Sequence, residues 1–169
     1  MGDDNDEVDD VLPDVLAPGL AIVFCGNAAG KVSAARGAPF AGPGNYFWPV
    51  LHEVGLTPVL LTPDEFRRLP EFGLGLTDAC KTHFGSDAEV GTANHDPERV
   101  KGAVRAYSPM HLAFVGKQAA RIVLGRKVDY GRQPERVEGA ESWVLPSTSG
   151  LARGFWSVEP WQELAAAVR

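Results

Sequence analysis

The sequence predicts an α/β domain of three layers, α/β/α, in which helices cover both faces of a central four-stranded parallel sheet. Two observations carry that expectation. Four short apolar runs alternate with segments of helical spacing, the arrangement that buries a parallel sheet on both sides. The loops after the first and fourth runs, residues 26–45 and 146–154, are dense in Gly, Pro, Ser and Asn. Parallel sheets bind ligands beyond the carboxyl ends of their strands, so these loops are where a site is sought.

The elements follow in order. Residues 1–16 are read as a disordered acidic tail and 17–169 as one domain, because the Asp-rich start cannot bury enough apolar surface to fold alone. Leu-Ala-Ile-Val-Phe at 20–24 is the first strand, closed by Gly26. Phe47, Val50, Leu51 and Val54 repeat at helical spacing, giving a helix over 46–54. The second strand is placed at 58–61 and the third at 111–115. Between them, 97–107 is helical through Val100, Val104 and Tyr107. Ala-rich 117–124 is a further helix, 142–145 the fourth strand, and 159–169 the last helix.

Charge has to be divided before it is interpreted. The chain of 169 residues has 16 Lys and Arg against 22 Asp and Glu, a formal charge of −6. Seven of the acids lie in the first fourteen residues, where there is no Lys or Arg, so the rest of the chain is close to neutral. The acidity therefore does not exclude a nucleic-acid partner. Nine Lys or Arg between Arg99 and Arg136, against Asp129 and Glu135, form either a basic face or a solvated one. No apolar stretch has the length of a membrane span, and the acidic start is unlike a signal peptide, so a cytoplasmic protein without membrane contact is expected. Cys25 and Cys80 are the only cysteines and form no CxxC, so neither a disulfide framework nor a metal site is expected.

The glycine loop Cys25-Gly26-Asn27-Ala28-Ala29-Gly30-Lys31-Val32 is not a phosphate loop. Only three residues separate its glycines, and Val32 stands where the magnesium-binding hydroxyl would be. The longer stretch, Gly26-Asn27-Ala28-Ala29-Gly30 followed by Pro39-Phe40-Ala41-Gly42-Pro43-Gly44-Asn45-Tyr46-Phe47-Trp48, closely resembles the first motif of the uracil-DNA glycosylase superfamily. The branch it looks like is the mismatch-specific uracil/thymine glycosylases, whose pattern is Gly-Ile-Asn-Pro-Gly and then Pro-Phe/Tyr-x-x-Pro-x-Asn-x-Phe-Trp. Gly75-Leu76-Thr77, Val115-Gly116-Lys117-Gln118-Ala119 and Leu145-Pro146-Ser147-Thr148-Ser149-Gly150-Leu151-Ala152-Arg153 match further family stretches in order.

The resemblance implies base flipping and hydrolysis of the glycosidic bond of uracil in DNA, leaving an abasic site. It implies no cofactor, no metal and a monomer. Phe40 takes the position that stacks on the extruded base, and Asn45 the position whose amide meets a base edge or caps the following helix. Gly26 and Ala28 line the base pocket. Gly30 stands where strictly uracil-specific relatives place a Tyr, which implies a more permissive pocket open to other deaminated or modified bases. Leu151 is the wedge into the base stack, and Gly150 allows close approach of DNA. Lys31, Ser147, Thr148, Ser149 and Arg153 are the candidate phosphate contacts.

Two departures matter. Ala28 replaces the Asn that orients water in this branch, and Ser147 replaces a His or Asn. A methyl group cannot orient or deprotonate water. Asn27 and Asp78 are therefore the catalytic candidates, Asp78 as a general base. The alternative is a non-catalytic, DNA-binding member of the superfamily.

Overall fold

A computed structural model describes residues 10–169. Its sheet has five strands, in the order β2-β1-β3-β5-β4. β1 (Ile22–Gly26) is central and pairs in parallel with β2 (Leu74–Asp78) and β3 (His111–Val115). β5 (Ala140–Leu145) continues the parallel set beside β3, and β4 (Gly131–Val137) adds an antiparallel edge.

The expected four-stranded sheet is thus corrected to five. β4 escapes the sequence reading because it is Gly-Arg-Gln-Pro-Glu-Arg-Val, with the side chains of Arg132, Pro134 and Arg136 exposed. A proline is tolerated there because an edge strand has one side with no ladder to complete. The expected strand at 58–61 is also corrected. Val59 and Leu60 are exposed, and the segment makes no ladder. The second strand is Leu74–Asp78, whose apolar run is interrupted by Gly75. That glycine is required, since a Cβ there would lie 2.5 Å from the Val15 carbonyl oxygen. Between the two lies an unpredicted 3-10 segment, Pro63–Phe72, opened by a Thr62/Glu65 capping box.

The helices are α1 (Lys31–Arg36), α2 (Phe47–Glu53), α3 (Asp87–Val90), α4 (Pro97–Tyr107), α5 (Lys117–Leu124) and α6 (Glu159–Ala167). Alternate residues of β1 face opposite ways. Ile22 and Phe24 join a core with Phe47 and Leu51 of α2 and Trp161 and Leu164 of α6. Val23 and Cys25 join a second core with Val100 and Val104 of α4 and Ala119 and Val123 of α5. Helices therefore cover both faces, and the carboxyl ends of the four parallel strands stay open at one edge. No described helix is long and apolar enough to cross a membrane.

The acidic tail expected over 1–16 falls outside the described residues up to residue 9. From residue 10 onward the expectation is corrected. Val15 exchanges backbone hydrogen bonds with Leu76, the Val11 N–H donates to the Lys81 carbonyl, and Leu12 is buried. Asp14 anchors the segment through ion pairs of 2.8 Å to both Lys81 and Arg99.

The basic stretch is a network of paired charges. Six of its nine cations contact carboxylates: Arg99, Lys101, Arg105, Arg126, Arg132 and Arg136. Lys117 lies over the Tyr130 ring at 4.5 Å.

Candidate active site

The chain segments that follow β1, β2, β3 and β5 meet around a cavity of about 760 Å³. Every residue singled out from the sequence lines it: Gly26, Asn27, Ala28, Gly30, Lys31, Phe40, Asn45, Asp78, Ser147, Thr148, Ser149, Gly150, Leu151 and Arg153.

Two side chains converge over Gly26. A Cβ built there would lie 2.5 Å from Asp78 Oδ1 and 3.7 Å from Phe40 Cζ, so only glycine lets the carboxylate and the ring approach each other. Phe40 stacks on Phe47, with centroids 4.0 Å apart and planes 18° apart, and so has a packed face and an opposite one. Its φ of 53° is left-handed, a conformation costly for a bulky L-residue. A core phenylalanine gains nothing from such a backbone. The Ala41 N–H donates to Ser33 Oγ at 3.0 Å and holds the loop in this shape.

Asp78 ends β2 with its side chain largely buried. Burial raises its carboxyl above the ordinary carboxylate range, and Lys81, 3.7 Å away, pulls the other way. Behind it lies a cluster that the sequence does not announce. Lys81 is 4% exposed, and its ammonium meets Asp14 as well as Asp78. Arg99 donates to Thr77 Oγ1 at 2.9 Å and to the Asp78 carbonyl, and pairs with Asp14. Asp14, Lys81 and Arg99 therefore set the charge environment of Asp78. The one sequence signal for Asp14 was its place between Leu12 and Val15, apolar residues at docking spacing inside an otherwise acidic run.

Asn27 is engaged elsewhere. Its Nδ2 donates to Asp87 Oδ1 at 2.8 Å and to Gln118 Oε1 at 3.2 Å, and its Oδ1 accepts from His95 Nε2 at 2.5 Å. Both amide hydrogens are used, which leaves one lone pair on Oδ1. Burial holds the His95 imidazole below its usual pKa and so favours the neutral ring. Of these partners, Gln118 stands in a motif quoted above, whereas Asp87 at the start of α3 and His95 in the loop after it carry no sequence signal.

Asn45 lies one residue before Tyr46, the N-cap of α2, and covers the first helical N–H from there: its Oδ1 accepts from the Phe47 N–H at 3.0 Å. Among the described residues its Nδ2 has no partner, so capping leaves the donor half of the amide for a ligand. Lys31 pairs with Glu89 at 2.9 Å, and the Ser86 N–H together with that ammonium lowers the Glu89 carboxyl to about 2. Both side chains are solvated, so the pair offsets the Lys31 charge only in part. Gly30 has nothing within 4 Å of a built Cβ, so the cavity is open on that side.

The loop after β5 is pinned before it reaches the rim. The Pro146 carbonyl accepts from Trp161 Nε1, and the Thr148 carbonyl accepts from the Tyr46 N–H. Ser147 and Ser149 hydroxyls accept from the N–H groups two residues ahead. The 3-10 segment Gly150–Phe155 then presents Leu151 at 89% exposure. No group of three or more metal-ligating side chains forms among the described residues.

The uracil DNA glycosylase superfamily model matches residues 13–165. The chain belongs to the uracil DNA glycosylase superfamily. A solution NMR structure from Methanosarcina acetivorans, provisionally assigned as a uracil DNA glycosylase, is similar in fold, with a TM-score of 0.65. It is 22% identical, and the match covers 94% of each chain. Membership in the uracil DNA glycosylase superfamily carries a DNA-glycosylase-like function, a hydrolase of the glycosylase type that binds DNA.

Proposed function

We propose that the protein is a monofunctional glycosylase of the mismatch-specific type, which flips uracil and related deaminated or modified bases out of DNA and hydrolyses the glycosidic bond. The observation that carries this reading is the convergence of Phe40 and Asp78 over Gly26, beside the exposed Leu151 on the cavity rim. The extruded base lies on the face of Phe40 not covered by Phe47. Asn45 Nδ2 donates to a carbonyl oxygen of the base. Leu151 fills the gap left in the stack, and Arg153 with the 147–151 loop holds the flanking phosphates.

Bond cleavage passes through an oxocarbenium-like sugar and a departing base anion. Asp78 accepts a proton from the attacking water, and its negative charge faces the cationic sugar. The base role falls to Asp78 rather than Asn27, because an amide does not take up a proton and Asn27 Oδ1 already accepts from His95. Open space at Gly30 supports acceptance of bases larger than uracil. No side-chain amine stands free in the cavity as a Schiff-base nucleophile among the described residues, since Lys31 pairs with Glu89. A DNA-binding, non-catalytic role is the second reading, and the methyl group of Ala28 at the usual water-orienting position favours it.

Incubation with a uracil-containing oligonucleotide, then alkali, separates the two. Strand scission is expected; its absence at excess protein selects the binding role. Phe40→Ala should slow turnover on both duplex and single strands, consistent with a base-stacking energy of about 1–3 kcal/mol. Leu151→Ala should leave thermal stability unchanged, because the side chain is solvated, and should slow turnover on duplex far more than on single strands. Wild-type rates in both variants would overturn the assignment of these two residues.

A further inference from the structure

A second cavity of about 400 Å³ lies on the far side of the 147–153 loop, walled by Tyr46 and Trp156. Their rings meet edge to face with centroids 5.2 Å apart, and Trp156 is backed by Trp161 at 6.2 Å, so the aromatic wall is rigid. The two cavities share Ser147, Thr148, Ser149 and Arg153 as a common partition. Arg153 has no carboxylate partner among the described residues. Its guanidinium lies against Gly44, where a Cβ would come within 2.6 Å of Nη2, so the glycine makes room for it. The Thr148 hydroxyl in the partition is buried without a partner among the described residues. On the same short segment as Arg153, Leu151 on the rim of the main cavity is 89% exposed and Phe155 is 73% exposed.

Aromatic walls with a free guanidinium and hydroxyls are the chemistry of a nucleotide site. Rings stack on any base face, and an arginine fork holds a phosphate. A cation set in a wall between two such cavities suits a phosphodiester whose two nucleosides lie on either side. We propose that the Tyr46–Trp156 cavity holds the nucleobase next to the extruded one on the same strand, with the linking phosphate on Arg153, so that the unit recognised is an unstacked dinucleotide and the preferred substrate is single-stranded or locally opened DNA. This rests on the proposed base site above Gly26 and adds a second one. Occupying both cavities requires two consecutive bases to leave the stack, and each costs a few kcal/mol to extract from a duplex. In single strands most of that cost is absent.

The test uses small ligands, so that each cavity is read separately. The dinucleotides d(UpT) and d(TpU) are titrated into the full chain beside the 3′- and 5′-methyl phosphodiesters of deoxyuridine, which have the same phosphate charge and no second base. At least one dinucleotide should bind about tenfold tighter than its methyl ester. Tyr46→Ala should erase that difference and leave methyl-ester binding unchanged. Tyr46→Phe, which keeps the ring and loses only the hydroxyl bonded to Glu53, should retain the difference. Thermal melting checks that both variants fold; if Tyr46→Ala does not, the comparison within the wild type still decides. Equal affinity of dinucleotides and methyl esters would overturn the second base site while leaving the first in place. Failure of every uracil ligand to bind would overturn both.

Discussion

Replacing Asp78 by Asn lowers turnover on uracil-containing DNA by about 10²–10⁴-fold, the usual contribution of a general base. Affinity for a duplex with an abasic-site analogue stays near wild type, because Phe40, Leu151 and Arg153 remain. Asn has nearly the same shape, and Lys81 keeps its closer partner, Asp14, at 2.8 Å. The wild-type pH profile supplies an independent check. A base must be ionised to accept a proton, so activity is lost as pH falls through the Asp78 pKa. Burial raises that pKa, so the acid limb of kcat/KM lies above the ordinary carboxylate value of about 4. Wild-type turnover by Asp78→Asn would remove the carboxylate from the mechanism. An acid limb below pH 4 would contradict the buried environment assigned to it.

Asp14→Ala has the largest expected effect on stability. It leaves the Lys81 ammonium, 4% exposed, with only the more distant Asp78, and deprives Arg99 of its carboxylate partner. Removing one member of a buried ion pair costs about 3–5 kcal/mol, because the remaining charge is desolvated without compensation. For a chain of this size that is a fall in Tm of about 10 °C. Asp14→Asn, which still offers an oxygen acceptor, should fall less. A change of only a degree or two in Asp14→Ala would mean that water reaches the cluster and solvates both cations.

The sequence disclosed the residues that line the main cavity better than it disclosed their surroundings. α4, α5 and β3 were legible to the residue because their burial follows simple periods: Val100 and Val104 on one helix face, and His111–Val115 uniformly inside. β2 was hidden because its identity depends on tertiary pairing. Gly75 weakens the local pattern, and its need arises from Val15, sixty positions earlier, and from Leu20. The run at 58–61 misled for the converse reason, since Val59 and Leu60 are exposed and only Leu61 enters the core. The cavity lining was legible because it is made of backbone-dictated loops whose Gly, Pro and Asn have local causes. The partners that tune it were not. Asp14, Lys81 and Arg99 meet through a chain separation of up to 85 residues, as do Asn27 and Gln118 over 91. No local rule encodes such meetings. Asn27 shows the cost: its place beside Ala28 is visible in the sequence, while its ties to Asp87, His95 and Gln118 are not.

The pairing of the basic stretch bears on how the protein finds DNA. With six of the nine cations between Arg99 and Arg136 already matched by carboxylates, few phosphates can be neutralised on contact. Each neutralised phosphate contributes roughly 0.7–0.9 to the slope of log K against log salt, so a footprint of two or three contacts gives a slope of about −2. A chain of formal charge −6 also draws no long-range help from the DNA field. Capture should therefore depend little on ionic strength, and residence at a lesion should come from apolar and aromatic contacts made after arrival. A measured slope steeper than about −5 would mean that the ion pairs open and their cations turn to the phosphates.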